Sequence, residues 1–406
     1  MSIYLDHSAT TPIDKNVLKE MLPYFNKNFG NSSSVHSFGQ KALLAVDQAR
    51  QNIADFLKCD ANEIIFTSGA TESNNLALRG LIKNLKSSKI HLITSQIEHD
   101  SILETCQDLE KEKINITYLP VEKNGQINLS DLKKAIKPET VLISIIYVNS
   151  EVGIKQPIKE IGKLIKKINK QRDIEWQKLS VGKRGERPNP IYFHVDATQA
   201  INFFNCDIRA NYIDLLSLSG HKIYGPKGVG LLYKKKEIPF QAIQTGGHQE
   251  NNYRSGTLNV PGIVGLGCAI KNIKLDQEKN NNYISDLRNF LVQGLQKNIP
   301  DIILNTDLEN SSPSHAHFSF LGAEGESILI SLDLKNIAVS TGSACASHSL
   351  KSSSTLMAMG IDQEITHSSI RFTLGKYNTK IEIEKVIKTL PNIIKRIRKI
   401  NPLYVN

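Results

Sequence analysis

The chain has 406 residues, enough for two domains of ordinary size. Its hydrophobic fraction of 40% and charged fraction of 22% are typical of globular proteins and argue against collagen, coiled-coil arrays and intrinsic disorder. The longest uncharged apolar run, residues 141–148, is far shorter than the roughly 20 residues that a membrane-spanning helix needs. The composition therefore predicts a folded protein that does not span a membrane.

Charge and cysteine usage narrow the class further. The formal net charge of +10 comes from lysines spread along the chain, which indicates a solvated surface. The sequence has no basic stripe with interleaved aromatic residues, so a nucleic-acid partner is not expected. The N-terminus lacks a basic region followed by an apolar one, so we expect a cytoplasmic protein. The five cysteines are scattered, without a Cys-x-x-Cys pair, and His315 and His317 alone are a weak ligand set. No disulfide framework and no dedicated metal site are expected.

In chain order, short apolar and β-branched runs alternate with amphipathic stretches over the first two thirds of the sequence. The runs predict strands over residues 63–67, 90–94, 114–121, 141–148, 192–195, 215–218 and 228–233. The stretches between them include helices predicted over residues 39–57, 73–85 and 157–169. This alternation predicts an α/β fold with a mostly parallel sheet.

The pattern changes after a long helical stretch over residues 260–298. Short strands, predicted over residues 302–305, 317–320, 337–340 and 370–373, are then mixed with helices. We therefore assign residues 15–260 to a large domain, and residues 1–14 and 261–406 to a smaller α+β domain. Residues 171–190 have mixed charges, two glycines, two prolines and no periodicity, which predicts a surface insertion.

Two polar residues follow predicted strands where ligands of open α/β sheets bind. Lys222 lies in a polar, glycine-containing turn, which suits Schiff-base chemistry, and Asp196 ends the preceding strand. A lysine and an aspartate are the pair that pyridoxal phosphate requires, because the carboxylate keeps the pyridine nitrogen protonated. Taken singly, Lys222 is more simply interpreted as a surface lysine and Asp196 as a helix-capping aspartate.

A third feature is the segment Thr67-Ser-Gly-Ala-Thr71-Glu, in which a strand ends in small residues and opens a helix. Backbone N–H groups and the helix dipole at such a start bind phosphate, with the hydroxyls of Thr71 and Ser219 as further donors. By itself the segment is only a capping motif. The joint occurrence with Lys222 and Asp196 is what favours a cofactor site.

Together with further motifs, in the same order along the chain, these features resemble the cysteine desulfurases of the IscS/NifS type in the class-V aminotransferase family. The motifs lie at residues 4–12 (Tyr-Leu-Asp-His-Ser-Ala-Thr-Thr-Pro), 67–75, 98–99, 194–199, 219–228, 254–257, 343–345 (Ser-Ala-Cys) and 367–371. The resemblance implies a fold-type I, pyridoxal-phosphate-dependent transferase with a mostly parallel seven-stranded sheet. It also implies a homodimer whose active sites lie at the subunit interface.

The resemblance also implies a role for each matching residue. Lys222 would hold the cofactor, Asp196 would pair with its pyridine nitrogen, Gln199 and the position of Ser150 would contact its ring hydroxyl, and His99 would stack on the ring and assist proton transfer. The phosphate would be held by Ala70, Thr71, Ser219 and His221, with Thr257 supplied by the partner subunit.

The implied substrate is L-cysteine, which would be bound through Arg371 and Asn149 and converted to L-alanine. Cys345 lies in a run of small and polar residues with nothing to pack, which suits a mobile nucleophile that carries the sulfur as a persulfide. The sulfur would pass to an acceptor protein, either an iron–sulfur scaffold or a tRNA thiolation enzyme. The only metal expected at Cys345 is a cluster shared transiently with such a scaffold.

Two departures from the family pattern bear on these expectations. Ser150 stands where close relatives usually have asparagine, and the sequence ends at Asn406, before the tail that IscS-type members use to dock the scaffold. Two alternatives stay open: another fold-type I enzyme, such as an aminotransferase or a selenocysteine lyase, in which Cys345 would be dispensable, and a non-catalytic scaffold. The intact set of Lys222, Asp196, His99 and Cys345 argues against the second.

Overall fold

The computed structural model describes residues 2–85, 89–179, 188–341 and 352–401. Its largest sheet has seven strands in the order β2-β8-β7-β6-β5-β3-β4. These are β2 (Ile64–Thr67), β3 (His91–Ser95), β4 (Asn115–Leu119), β5 (Thr140–Ile146), β6 (Tyr192–Asp196), β7 (Leu215–Ser219) and β8 (Gly230–Lys234). Strands β3 to β7 pair in parallel, and β8 pairs antiparallel with both β7 and β2. The seven predicted strands and the mostly parallel sheet are confirmed.

Helices flank this sheet and bury its apolar residues on both faces. They are α1 (Lys15–Met21), α2 (Pro23–Asn26), α3 (Ser37–Leu57), α4 (Ala70–Ile82), α5 (Asp100–Lys111), α6 (Leu129–Ala135) and α7 (Ile158–Lys178). Helix α7 extends to Lys178, past the end predicted at residue 169, because Arg172 donates to the carbonyls of Thr140 (3.0 Å) and Lys137 (2.5 Å). The first eight residues of the segment predicted to be irregular are thus helical.

The remaining strands and helices include two smaller sheets. They are β1 (Ile3–Tyr4), α8 (Val260–Asn298), β9 (Ile302–Leu304), β10 (His315–Phe320), α9 (Gly325–Asp333), β11 (Ile337–Ala338), α10 (Ser354–Ala358), α11 (Gln363–Thr366), β12 (Ser369–Thr373) and α12 (Lys380–Ile400). Strands β12, β10 and β9 make an antiparallel sheet, and β1 pairs in parallel with β11. No helix among the described residues combines the length and the apolar character that crossing a membrane requires.

Helix α8 contributes to two separate hydrophobic cores. Its first half, through Ile273, packs into the core of the seven-stranded sheet, whereas its second half, from Ile284, packs with Ile3, Leu5 and the antiparallel sheet. The division into two domains stays a prediction. The two cores divide within α8 rather than at residue 260, because the amphipathic face of one long helix continues from one core to the other.

Candidate active site

A cavity of about 1020 Å³ lies at the carboxyl edge of the parallel strands, where the fold brings together side chains from distant parts of the sequence. The predicted site residues that line it are Ala70, Thr71, His99, Asn149, Ser150, Asp196, Gln199, Ser219, His221, Lys222 and Arg371. Thr257 is exposed and does not line the cavity of its own chain. Cys345 lies outside the described residues.

One end of the cavity is built by the turn between β2 and α4. Gly69 has a φ of +155°, and α4 begins at Ala70, so the first-turn N–H groups of Ala70 and Thr71 have no carbonyl partner within the helix. Glycine is also required across the turn, since a Cβ on Gly230 would lie 2.6 Å from the Cα of Gly69. A helix start held this closely against the sheet suits an anion such as a phosphate.

Asp196 lies deeper in the cavity, with 3% of its surface exposed. Its Oδ1 atom accepts a hydrogen bond from the backbone N–H of Thr198 (2.9 Å), and Oδ2 accepts one from Nδ2 of Asn74 (2.8 Å). A buried carboxylate needs hydrogen-bond donors, and these two groups supply them. It is well placed to pair with a protonated ring nitrogen.

His99 caps the start of α5, and its ring is oriented by Ser101. The backbone N–H of Ser101 donates to Nδ1 of His99 (3.0 Å), and the Ser101 hydroxyl lies 2.9 Å from the same atom. Because a backbone N–H can only donate, Nδ1 is an acceptor, and a neutral His99 carries its proton on Nε2. The sequence predicted His99 but neither Ser101 nor Asn74, whose contacts depend on how the strands are aligned.

The amine of Lys222 donates to the carbonyls of Ser8 (2.5 Å) and Ala9 (2.7 Å). The same Ser8 carbonyl accepts from Nε2 of Gln199 (2.9 Å). The N-terminal segment therefore lies across the cavity and contacts its reactive amine. The motif at residues 4–12 signalled this segment, although it did not indicate that backbone carbonyls make the contact.

The imidazole of His221 is neutral at physiological pH. Burial, assisted by the positive charges of Lys222 and Lys227, lowers its pKa to about 4. Its Nδ1 atom lies 3.2 Å from the hydroxyl of Thr10. A neutral ring can donate one hydrogen bond to a phosphate without adding a charge.

Arg371 is anchored on two sides. Its Nη2 atom pairs with Oδ1 of Asp6 (2.8 Å), and Nη1 donates to the carbonyl of Ser150 (2.9 Å). Its buried Nε atom has no hydrogen-bond partner among the described residues. A guanidinium has five N–H bonds, so donors are left on both terminal nitrogens for a substrate carboxylate.

Asn149 and Ser150 play structural roles in this geometry. The Asn149 amide donates to the carbonyl of Ile97 (3.0 Å) and to the hydroxyl of Thr355 (3.3 Å), and its oxygen accepts from the backbone of Glu151 and Val152. Contact between this amide and a substrate would require one of these bonds to give way. Ser150 contributes its carbonyl, which accepts from Ser8 and from Arg371.

Two carboxyl groups in the cavity were not predicted as site residues, although Glu98 lies in the motif at residues 98–99. Burial raises the pKa of Glu98 to about 8, against a hydrogen bond from Ser95 (2.5 Å), and raises the pKa of Glu151 to about 7, against one from Ser353 (2.5 Å). Glu98 is therefore mostly protonated at neutral pH and can act as a donor. Only the fold could show this, since burial sets both values.

The four described cysteines are unsuited to nucleophilic chemistry. Burial raises the thiol pKa to about 12 at Cys59, Cys106 and Cys206, and also raises it at Cys268. A thiol that stays protonated is a poor nucleophile. The interpretation of these four as inert residues agrees with their environments.

A family model described as aminotransferase class-V matches residues 3–171 and 180–386. A cysteine desulfurase IscS of Clostridium botulinum is 44% identical over 404 residues, which cover 99% of this chain and 96% of that protein. A cysteine desulfurase of Homo sapiens is 42% identical over 405 residues, covering 99% of this chain and 84% of its own. The curated relatives thus match over nearly the whole of this chain.

Solved structures agree. A NifS-like protein superposes with a TM-score of 0.88 at 34% identity, over 98% of this chain and 100% of its own. A structure described as SspA in complex with cysteine superposes with a TM-score of 0.79 at 34% identity, over 93% of this chain and 100% of its own. The chain therefore belongs to the aminotransferase class-V family and, within it, to the cysteine desulfurases of the IscS/NifS type.

This family depends on pyridoxal phosphate, and the donor set fits that cofactor. The helix start at Ala70 suits its phosphate, the buried carboxylate of Asp196 suits its ring nitrogen, and the amine of Lys222 suits its aldehyde carbon. All three groups line one cavity. The fold-type I class and the cofactor predicted from the sequence are confirmed.

Proposed function

We propose that the protein is an L-cysteine desulfurase that releases L-alanine and keeps the sulfur as a persulfide on Cys345. The observation that carries this proposal is the convergence of Lys222, Asp196, His99 and Arg371 on one cavity. Relatives named cysteine desulfurase, and a similar structure described as a complex with cysteine, support the substrate.

In this proposal the cofactor is held at three points. The N–H groups at the start of α4 with Ser219 and His221 hold the phosphate, Asp196 pairs with the ring nitrogen, and Lys222 holds the reactive carbon. When bound, pyridoxal phosphate supplies an electron sink for the carbon skeleton of the substrate.

The remaining polar groups act on the substrate. The terminal nitrogens of Arg371 bind its carboxylate, and Asp6 and the Ser150 carbonyl keep the guanidinium in place. The amine of Lys222 takes up and returns a proton at the substrate carbon. His99 has its proton on Nε2 when neutral, so it donates at that atom.

The sulfur step is balanced without an external oxidant. The thiolate of Cys345 attacks the sulfur of L-cysteine, an S–S bond forms, and the carbon–sulfur bond breaks. Its electron pair stays with the carbon, which takes up a proton and becomes the methyl group of L-alanine. The products are L-alanine and the Cys345 persulfide, which a later thiol acceptor can attack.

The position of Cys345 in the chain supports its role. Ser340, before the cysteine, pairs through its backbone with Arg371 (2.7 and 3.3 Å), and Ser352 and Ser353, after it, line the cavity. The chain therefore enters and leaves the segment 342–351 beside the cavity. The high thiol pKa values of the four described cysteines also leave Cys345 as the suitable nucleophile.

We further propose a homodimer. Large apolar side chains are exposed along residues 18–44, with Val35 93% and Phe29 65% exposed; the others are Leu18, Leu22, Phe25, Phe38 and Leu44. Large apolar side chains exposed in such number along one segment are typical of a protein interface, and a second copy would cover them by a two-fold contact. Such a contact is also what Thr257 needs, since it is exposed on its own chain. A cytoplasmic location, and an iron–sulfur scaffold or a tRNA thiolation enzyme as acceptor, complete the proposal.

The test is anaerobic incubation of the cofactor-loaded protein with L-cysteine and a thiol reductant, with alanine and sulfide both quantified. We expect equal amounts from the wild type and neither from Cys345→Ala, whereas the matched control Cys268→Ala keeps wild-type turnover. Cysteine turnover that persists in Cys345→Ala would favour a lyase mechanism instead. A loaded protein that does not turn over cysteine would refute the proposal.

A further inference from the structure

A single side chain bridges the two groups that face the cofactor ring in the proposed function. Asn74 lies on α4, shortly after the start of the helix that faces the phosphate, and is completely buried. Its Nδ2 atom lies 2.8 Å from Oδ2 of Asp196 and 2.8 Å from Oγ of Ser101. The same Ser101 hydroxyl lies 2.9 Å from Nδ1 of His99. A continuous chain of four side chains therefore connects Asp196 with His99.

The direction of these hydrogen bonds follows from their chemistry. An ionised carboxylate only accepts, so the group of Asn74 that faces Asp196 is its NH₂ and not its oxygen. The second N–H of the same NH₂ points to the Ser101 oxygen, which leaves the Ser101 proton for His99 Nδ1. Both N–H donors of Asn74 are thus committed, one toward each end.

We propose that Asn74 is a positioning residue that couples Asp196 to His99: it holds the Ser101 hydroxyl, and through it the His99 ring, in place, while the backbone N–H of Ser101 keeps the proton of a neutral His99 on Nε2. The proposal rests on the proposed function, which places the cofactor ring between these two groups. Asn74 also belongs to α4, the helix whose start faces the phosphate, so its two contacts tie that helix to Asp196 and to Ser101. A displacement of Asn74 therefore changes both of these contacts.

The experiment compares three variants of the full-length, cofactor-loaded protein: Asn74→Ala, Ser101→Ala and the matched control Asn75→Ala. Asn75 is the next residue of the same helix, and within the described part of the chain its side chain bonds to the Thr71 carbonyl and to Arg79. Two quantities are measured for each: the pH at which the absorption band of the bound cofactor changes, and kcat for alanine release.

Each variant has a distinct expected pattern. Asn74→Ala moves the absorption titration by about one pH unit and lowers kcat about tenfold, because a donor to a charged group is lost. Ser101→Ala leaves the titration unchanged and lowers kcat, since only the His99 end is broken. Asn75→Ala changes neither. In the double variant of Asn74 and Ser101, kcat is no lower than with Asn74→Ala alone, since both changes break one chain.

A wild-type titration in Asn74→Ala, wild-type kcat in Ser101→Ala, or multiplicative losses in the double variant would each overturn the proposal. If Asn74→Ala does not fold, Asn74→Leu replaces it, because leucine has the same branched shape and has neither a hydrogen-bond donor nor a charge. Failure of the wild type to turn over L-cysteine would refute the proposed function instead. The absorption titration would then still decide whether Asn74 controls Asp196.

Discussion

Glu250 is predicted to stabilise the protein through a buried ion pair that holds the β2 strand in front of the phosphate turn. Its side chain is 1% exposed, accepts from both terminal nitrogens of Arg50 (2.6 and 3.1 Å) and accepts from the backbone N–H of Phe66 (2.7 Å). Glu250 and the next two residues all have positive φ angles between 48° and 66°, which non-glycine residues rarely adopt. These contacts hold that strained backbone in place.

Glu250→Ala removes the carboxylate and leaves a largely buried guanidinium and one buried N–H without it. Breaking one side of a buried pair costs about 3–5 kcal/mol, so we expect a loss of about 4 kcal/mol in the free energy of unfolding. Glu250→Gln keeps an acceptor for Phe66 and should lose about half as much. Removal of the Glu250 carboxylate should also weaken cofactor binding, since β2 leads directly into the turn at Gly69.

Urea unfolding of the protein without cofactor, followed by circular dichroism, measures these losses. A double-mutant cycle with Arg50→Ala separates the ion pair from simple truncation. The double variant should be more stable than the sum of the two single losses predicts, because removing both partners leaves no buried charge. A loss below about 1 kcal/mol in Glu250→Ala, or simple additivity in the cycle, would refute this reasoning.

Two further predictions concern the phosphate turn and a buried histidine. Gly230→Ala would place a Cβ atom 2.6 Å from the Cα of Gly69, so the turn must shift. Equilibrium dialysis should then show at least about tenfold weaker binding of pyridoxal phosphate, and wild-type affinity would contradict this prediction. Burial, helped by the charge of Arg371, lowers the pKa of His317 from 6.5 to about 3, so the folded protein keeps this ring neutral while the unfolded chain takes up a proton below pH 6.5. Stability from this group is therefore present above pH 6.5 and is lost as the pH falls toward 3, by about 1.4 kcal/mol per pH unit. Urea unfolding of His317→Gln at several pH values should be less sensitive to acid by that amount between pH 6 and 4, and slopes equal to those of the wild type would contradict the assignment.

Local pattern was sufficient for the elements and for the chemistry of the main site residues. Runs of β-branched residues located the seven strands of the large sheet, since strands buried on both faces need continuous apolar sequence. The motifs around Lys222 and Asp196 follow such strands, and the carboxyl ends of parallel strands meet at one edge. The cavity at that edge was therefore foreseeable.

The contacts that orient these residues were not foreseeable. The hydrogen-bonded link from Asp196 through Asn74 and Ser101 to His99 joins three different elements. The Lys222 amine donates to backbone carbonyls of the N-terminal segment. Both depend on the alignment of strands that are far apart in the chain. The identity of a side chain does not indicate that alignment.

The sequence alone determined the α/β class, the cofactor and the residues that carry charge or nucleophilic chemistry, because those properties belong to residue types and their local order. Only the tertiary structure decided the protonation states of the carboxyl and imidazole groups. Burial raises the pKa of Glu98 and lowers those of His221 and His317, and a backbone N–H makes Nδ1 of His99 an acceptor. Solvent exclusion and hydrogen-bond direction depend on neighbours that only the folded chain brings into contact.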